Sequence, residues 1–149
     1  MTKTMGSAVL DAPLAEIWAL LRDFGGLTKW FSGVASCEIE GGKPADQIGT
    51  VRMVSQTPGG PFIGERLTGM SDDDHVFTYR IETPVDLGTV NVAWGSRGCV
   101  KLVEITHGLG TFIEWSHDSE VTHGDPKVLI DFYDQVYGKF FHDLMKAVA

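Results

Sequence analysis

The chain has 149 residues, 43% of them hydrophobic and 21% charged, so we expect residues 1–149 to form a single globular domain. Its net charge is −8 and no run of basic residues is interleaved with aromatic ones, which argues against nucleic acid or an anionic membrane as partner. No apolar run approaches the roughly 18 residues of a membrane span, and no signal-peptide core follows Lys3, so we expect a cytoplasmic protein.

The first half of the chain predicts a strand, two short helices and then more strands. Residues 5–10 favour a strand, and Asp11 and Pro13 favour a helix start with Asp11 as the cap. The helix presents Ile17, Leu20, Leu21 and Phe24 on one face and ends at a Gly pair, and residues 27–31 favour a second short helix or turn. Strands are predicted at 34–40, 50–55, 62–70 and 76–82.

The second half predicts a hairpin and one long helix. Residues 83–88 favour a loop, and 89–93 an extra strand or part of a lid. Residues 98–106 and 111–121 favour strands joined by a turn at 108–110. Residues 125–149 predict a helix with Asp125 as cap and Pro126 in the first turn. Its wide apolar stripe contains, at four-residue intervals, Val128, Phe132, Val136, Phe140 and Leu144, so it must pack against another layer.

This order predicts an α+β domain in which one curved antiparallel sheet of about six to seven strands wraps on a long C-terminal helix. The arrangement resembles the helix-grip fold of the START-like, or SRPBCC, superfamily, which includes polyketide cyclase/dehydrase-like and birch-pollen-allergen-like proteins. The resemblance covers nearly the whole chain. It rests most specifically on the opening VLDAPLAEIWALLRDFGGLTKWF, and also on GERLTGMSDDDHVFTYRIE, GTFIEWSHDSEV and the terminal helix.

A more distant resemblance links the chain to plant abscisic-acid receptors through residues 48–52 and 65–67. The receptors' Ser-Gly-Leu-Pro-Ala gate is replaced here by Thr-Pro-Gly-Gly-Pro at residues 57–61, and their His-Arg-Leu latch has no counterpart in residues 84–90. Their hormone-carboxylate lysine falls near Phe31. We therefore expect the fold and a ligand cavity, without hormone sensing.

The resemblance implies a cavity between the long helix and the concave face of the sheet. Strand alternation then selects the inward residues. On residues 111–121 we expect Phe112, Glu114 and Ser116 to face inward, with Trp115 and His117 facing out. The full expected ligand-binding set is Arg52, Val54, Ile63, Glu65, Leu67, Phe77, Tyr79, Ile81, Phe112, Glu114, Ser116, Phe132, Val136 and Phe140.

Four polar side chains in this set are the candidates for chemistry: Arg52, Glu65, Tyr79 and Glu114. Buried charges must be paired or hydrated, and Arg52 is expected to pair with Glu65 or Glu114. Two neighbouring carboxylates would also form a general acid if they shared a proton. The alternative is a structural salt bridge with bound waters, and the sequence leaves the two readings open.

Metal and nucleophile chemistry find no support in the sequence. No His pair has the i, i+4 spacing of a helical zinc site and no Cys-x-x-Cys occurs, so we expect no metal, no cofactor and solvent-exposed imidazoles. Cys37 and Cys99 are expected to be small reduced core residues, and a disulfide between them stays open. Residues 57–61 favour a hairpin turn or a mobile lid, while Trp30 and Phe31 either pack under that lid or form the entrance.

These observations favour a protein that binds a small hydrophobic or aromatic metabolite, polyketide-like or lipid-like, in an internal cavity. The alternative is an enzyme similar to polyketide aromatase/cyclases, with Glu65 or Glu114 moving protons and Arg52 or Tyr79 holding an enolate oxygen. A third reading is a protein-interaction module, which would have an exposed apolar patch and a filled interior. The expected partner is a small hydrophobic molecule, and a homodimer is possible.

Overall fold

The computed structural model describes residues 1–149 and has two layers, a large sheet and a long helix across it. Its elements in chain order are β1 (Thr2–Leu10), α1 (Leu14–Leu21), β2 (Ser36–Ile39), β3 (Val51–Ser55), β4 (Phe62–Ser71), β5 (Val76–Ile81), β6 (Val85–Asp86), β7 (Asn91–Val92), β8 (Arg97–Glu104), β9 (Thr111–Ser119), β10 (Val121–His123) and α2 (Pro126–Val148). Three short 3₁₀ turns lie at Leu27–Lys29, Glu40–Gly42 and Thr106–Gly108. The expected α+β helix-grip architecture is confirmed.

The large sheet contains seven antiparallel strands in the order β1-β9-β8-β5-β4-β3-β2. A second, three-stranded sheet has the order β10-β7-β6. The segment predicted as loop at 83–88 therefore contains the short strand β6, and the extra strand predicted within 89–93 is β7. The strand predicted over 111–121 divides after Ser119, because the Glu120 carbonyl accepts a hydrogen bond from Ala93 N–H and directs the chain into the second sheet.

Both helix starts follow from local sequence, although by different means. Asp125 Oδ1 accepts a hydrogen bond from Lys127 N–H at 3.0 Å, so the predicted cap of α2 is confirmed. The prediction of Asp11 as the cap of α1 is wrong: Pro13 occupies that position and makes no side-chain cap bond. Proline is suited to the place because it has no N–H to satisfy there and its φ is already near the helical value.

The two halves of α2 pack on different parts of the sheet layer. Leu129 joins Val90 and Val92 over the small sheet, with Phe132 packed beside them. Farther along, Tyr137, Phe140, Phe141 and Leu144 belong to the main core of 22 buried residues. Val128, predicted in the apolar stripe, is 37% exposed, because the adjacent Leu129 occupies the helix face that contacts the small sheet. No helix has the length and apolarity needed to cross a membrane.

Candidate functional site

The concave face of β3, β4 and β5 carries the residues that strand alternation predicted. Six of them are buried in the interior: Arg52, Val54, Leu67, Phe77, Tyr79 and Ile81. Ile63 and Glu65 lie on the same face and are half-buried. From α2, Phe140 is buried, whereas Phe132 and Val136 are half-buried against the core. The predicted orientations are thus confirmed on these elements, and the role of the residues in binding stays a prediction.

On β9 the predicted orientation is wrong by one residue. Ile113, Trp115 and His117 are buried against α2 and its core, with at most 3% of each exposed. Phe112, Glu114 and Ser116 therefore lie on the convex face, where Glu114 has Ser7 and Lys101 as its cross-strand neighbours. Shifting a strand by one residue exchanges its two faces. Here the bulky apolar side chains of Ile113 and Trp115 lie on the concave face. The alternate positions, which include the carboxylates Glu114 and Asp118, face outward.

Glu114 is accordingly removed from the acid–base candidates, and Glu65 alone pairs with Arg52. Arg52 Nε donates to Glu65 Oε1 at 2.7 Å, and Nη1 donates to the Phe24 carbonyl at 3.1 Å. The guanidinium carbon lies 4.0 Å from the Phe24 ring centroid and 5.5 Å from that of Tyr79. Stacking on aromatic faces and a charged partner together make the burial of this cation tolerable.

Three polar atoms make no hydrogen bond within the protein. Two belong to the pair itself, Arg52 Nη2 and Glu65 Oε2, and the third is the Tyr133 hydroxyl. The buried side-chain nitrogen and oxygen atoms that have neither a hydrogen-bond partner nor solvent exposure belong only to Arg80, Thr83 and Ser119. The three atoms at this site therefore border space that a water molecule can enter. Glu65 also contributes to raising the pKa of Tyr133, after burial and Tyr137, which is consistent with proximity of the two side chains.

Next to the ion pair, His117 forms the centre of a buried hydrogen-bond network. Its Nε2 lies 2.6 Å from the Tyr79 hydroxyl and its Nδ1 lies 2.7 Å from the Tyr137 hydroxyl. The Tyr137 hydroxyl continues to Thr4 Oγ1 at 2.9 Å, and Trp115 Nε1 donates to the Tyr79 oxygen at 3.0 Å. The network joins β1, β5, β9 and α2, so it connects the sheet to the helix that covers it.

The network selects one tautomer of His117. The Tyr79 hydroxyl has no other acceptor, so it donates to Nε2, and Nδ1–H then donates to Tyr137. The Tyr137 hydroxyl donates to Thr4 Oγ1, and the Thr4 hydroxyl donates to the His117 carbonyl at 3.5 Å. Burial, aided by the Arg52 charge, lowers the pKa of His117 from 6.5 to about 3, so the imidazole is neutral at pH 7.

The phenols around His117 stay protonated. Burial is the largest cause that raises the pKa of Tyr79 well above 10, with the Glu65 charge acting in the same direction. Burial also raises the pKa of Tyr133 and Tyr137. Tyr133 stacks on the His117 ring with centroids 4.3 Å apart. The arrangement is an uncharged, hydrogen-bonded wall adjacent to the single buried cation.

The deeper part of the interior is filled by aromatic side chains. Trp115 stacks on Phe140 with ring centroids 4.1 Å apart, and Phe31 contacts Phe140 at 4.5 Å. Trp30 is buried against both Trp115 and Phe140. Of the two readings for Trp30 and Phe31, the structure places both in the packed interior. The side chains on the concave side that keep some exposure are those of Ile63, Glu65, Tyr133 and Val136, which are half-buried.

Two depressions also lie on the surface, away from the ion pair. One of about 450 Å³ lies between α1 and the end of α2, and one of about 170 Å³ lies where the chain enters α1. Neither is lined by any predicted site residue; the larger is lined by Glu16, Ala19, Leu20, Asp23, Lys29, Ala147 and Val148.

A family model described as polyketide cyclase / dehydrase and lipid transport matches residues 1–148. The chain belongs to this family. The START-like resemblance expected from the sequence is thereby confirmed, and membership supports hydrophobic-ligand binding in general. A comparison with curated proteins found no match.

Several solved structures have the same fold as this chain. A protein of Nitrosospira multiformis is 23% identical with a TM-score of 0.80, and the match covers 99% of this chain and 97% of that one. The protein XoxI of Bacillus cereus is also 23% identical with a TM-score of 0.80, with 99% and 96% covered. Ara h 8.0201 is 18% identical with a TM-score of 0.71, with 99% and 97% covered.

The sequence did not predict four residues of the candidate site in this family member: Trp115, His117, Tyr133 and Tyr137. The expectation that every imidazole is exposed is wrong for His117, which is 3% exposed. The 111–119 segment carried only a weak signal: Ile113 and Trp115 share a face with His117, but the opposite face also has an aromatic residue, Phe112. The partners of His117 come from positions 4, 79 and 137, and no local pattern brings those positions together.

The interaction-module reading predicted an exposed apolar patch, and the convex face has a row of that kind. Val9 is 66% exposed and Val103 is 46% exposed, and each pairs with Phe112 in the intervening strand. Single exposed apolar residues are normal on globular proteins. Nothing in the structure shows what would cover this row.

Proposed function

We propose that this family member binds a small hydrophobic or aromatic molecule between α2 and the concave face of the sheet. The observation that carries the proposal is Arg52, only 4% exposed, whose Nη2 lacks a protein partner yet borders space that water can enter. A buried guanidinium nitrogen without a protein partner is costly, and a ligand or water in that space would satisfy it.

The apolar body of the ligand would contact the half-buried residues around that nitrogen. Ile63 on β4 and Val136 on α2 both pack against the core and retain exposed surface, and Val85 lies at the same margin. Covering this surface would stabilise the complex by roughly 25 cal/mol for each Å² of apolar area removed from water. Tyr133, already stacked on His117, offers an aromatic face to a ring in the ligand.

The loops at the margin of the site would exclude water once a ligand is bound. Residues 57–61 connect β3 to β4, and residues 84–90 contain β6 and the turn into β7. Val85 and Leu87 already pack against the cluster of Val90, Val92 and Leu129, on which Phe132 and Tyr133 also pack. Closure of the two segments over the ligand is part of the proposal and follows the use of loops at binding sites generally.

The test uses N-phenyl-1-naphthylamine, an uncharged apolar probe whose fluorescence rises on transfer out of water. We expect saturable binding to the wild-type chain with about one probe per chain. Val136→Trp is expected to weaken binding at least about tenfold, because the indole would occupy the proposed space. Val128→Trp is the matched control on the same helix, since Val128 is 37% exposed and outside the site.

Absence of saturable probe binding by the folded wild-type chain would contradict the proposal. Equal weakening by Val136→Trp and Val128→Trp would contradict the location of the site. Thermal unfolding of each variant verifies that the chain is folded at the assay temperature.

A second candidate, an aromatase/cyclase-like activity, is favoured by one observation: Glu65 Oε1 is paired with Arg52 while Oε2 has no protein partner. A carboxylate placed this way would take a proton from an acidic carbon while Arg52 holds the enolate oxygen. Cyclisation of a linear poly-β-ketone thioester, followed by absorbance of the aromatic product, tests it. An enzyme would lose turnover at least about tenfold in Glu65→Gln while probe binding persists.

A further inference from the structure

We infer that the ligand is an uncharged molecule that carries a hydrogen-bond acceptor and a hydrogen-bond donor side by side on one carbon, as a primary amide does. The inference rests on the proposed function, because it names the chemical class that the same site selects. It follows from the way in which Arg52 and Glu65 are paired.

The ion pair occupies only part of each side chain. Arg52 Nε donates to Glu65 Oε1, and Nη1 donates to the Phe24 carbonyl, which leaves Nη2 as the free donor. Nε and Nη2 lie along one edge of a guanidinium, so Nη2 lies on the side of Arg52 that faces Glu65. Glu65 Oε2, which is attached to the same carboxyl carbon as the bonded Oε1, is the free acceptor of the pair.

The two free atoms therefore present one donor and one acceptor next to each other, and both border space that water can enter. If a ligand oxygen accepts from Nη2, a donor attached to the same carbon as that oxygen would be within reach of Oε2. An amide C(=O)–NH₂ satisfies both atoms at once. A simple hydrocarbon or an isolated ketone would leave Oε2 desolvated without a partner.

Charge excludes the anionic alternative. Arg52 is the single Lys or Arg among the buried residues of the chain, and Glu65, with 15% of its side chain exposed, already compensates it. A carboxylate ligand placed on Nη2 would bring a second negative charge against Glu65 in an apolar surrounding. Like charges at that separation repel strongly when water is excluded.

The surrounding wall adds no charge of its own. His117, Tyr79 and Tyr137 hydrogen-bond to one another as neutral groups, and Tyr133 stacks above them. The other buried carboxylate, Asp143, is bonded to the N–H and hydroxyl of Ser32 at the far part of α2. The Arg52–Glu65 pair is thus the one charged part of the site, and its two charges compensate each other. The rest of the site is uncharged.

The experiment compares 2-naphthamide with 2-naphthoate, which have the same ring and nearly the same shape but differ in charge at pH 7.5. Each is titrated against the wild-type chain holding N-phenyl-1-naphthylamine, and displacement of the probe gives the affinity. We expect the amide to bind at least about tenfold more tightly than the carboxylate.

Glu65→Gln is expected to reverse this preference, since it removes the compensating charge and leaves Arg52 free to bind an anion. Binding of 2-naphthoate should tighten at least about tenfold in that variant. Glu82→Gln is the matched control: Glu82 has 18% of its side chain exposed and pairs with Arg66 and Arg80 on the convex face. It should leave both affinities within about twofold of the wild type.

The outcomes separate this inference from the proposed function. If the probe binds and Val136→Trp blocks it, but the wild type binds 2-naphthoate as tightly as the amide or more tightly, the inference is overturned and the binding site stands. If neither the probe nor either naphthalene binds, both fail. Should Glu65→Gln not fold, as judged by thermal unfolding, the wild-type ratio of the two affinities decides alone.

Discussion

Tyr79 on β5 and His117 on β9 contact each other at 2.6 Å across a third strand, β8, that lies between them. The β8 residue at their level is Gly98, which is the cross-strand partner of both. A Cβ at position 98 would overlap the Tyr79 ring. The hydrogen bond between phenol and imidazole therefore depends on the absence of a side chain at the position that separates them.

Gly98→Ala should destabilise the fold. The added methyl group would push Tyr79 away from His117 and weaken their contact, at a cost of about 1–3 kcal/mol in the free energy of unfolding. Urea denaturation followed by circular dichroism measures the change. Gly138→Ala on α2 is the control, because a Cβ there meets no atom within 4 Å. Alanine in an exposed helix position is expected to stabilise by about 0.5–1 kcal/mol. A Gly98→Ala variant as stable as the wild type would refute the steric reading.

His117→Leu keeps a side chain of comparable bulk in the core and removes both ring nitrogens. The hydroxyls of Tyr79 and Tyr137 each lose one partner in a buried setting, so the free energy of unfolding should fall by about 2–4 kcal/mol. Guanidinium denaturation measures it. His142→Ala, an exposed position on α2, should change stability by no more than about 0.5 kcal/mol. Similar effects of the two substitutions would show that the network contributes little.

Stability should fall as the pH drops below about 6.5, because burial and the Arg52 charge lower the pKa of His117 from 6.5 to about 3 in the folded chain. Between these values the unfolded chain binds one proton more than the folded chain. The contribution of His117 is therefore fully present above pH 6.5 and is lost progressively toward pH 3, at up to about 1.4 kcal/mol for each pH unit.

Denaturation of the wild type and His117→Leu at intervals from pH 7.5 to pH 5 isolates this contribution, because most carboxylates titrate below that range. The wild type should lose stability more steeply than the variant. If the free energy of unfolding falls equally with pH in the two proteins, His117 is not the cause of the pH dependence.

Asp143 holds the loop after Trp30 and Phe31 against α2. Its Oδ2 accepts from the Ser32 N–H at 2.9 Å and from the Ser32 hydroxyl at 2.7 Å. Asp143→Ala leaves both donors without this partner, and we expect a loss of about 1–3 kcal/mol in the free energy of unfolding. Hydrogen exchange at the Ser32 amide should also accelerate. Asp134→Ala, which removes an exposed carboxylate from the same helix, should alter neither quantity.

Much of the fold follows from local patterns in the sequence. The apolar stripe of residues 125–149, its Asp125 cap and the strand alternation of 50–55, 62–70 and 76–82 predict the long helix, the sheet and the inward side of β3, β4 and β5. These signals are reliable because helix and strand periods place apolar residues on one face wherever that face is buried. The pairing of Arg52 with Glu65 was one of two sequence options, and register decides it, since the two residues are directly opposite on β3 and β4.

Only the tertiary structure determines which side of β9 points toward the core and which residues hydrogen-bond to His117. Both faces of the 111–119 segment contain an aromatic residue and a polar one, so alternation by itself is ambiguous there. Burial of His117 becomes tolerable only because Tyr79, Tyr137 and Thr4, which are distant in sequence, supply hydrogen bonds at one point in space. A buried polar group is acceptable only when its partners are present, and the sequence of one strand carries no information about partners on the others.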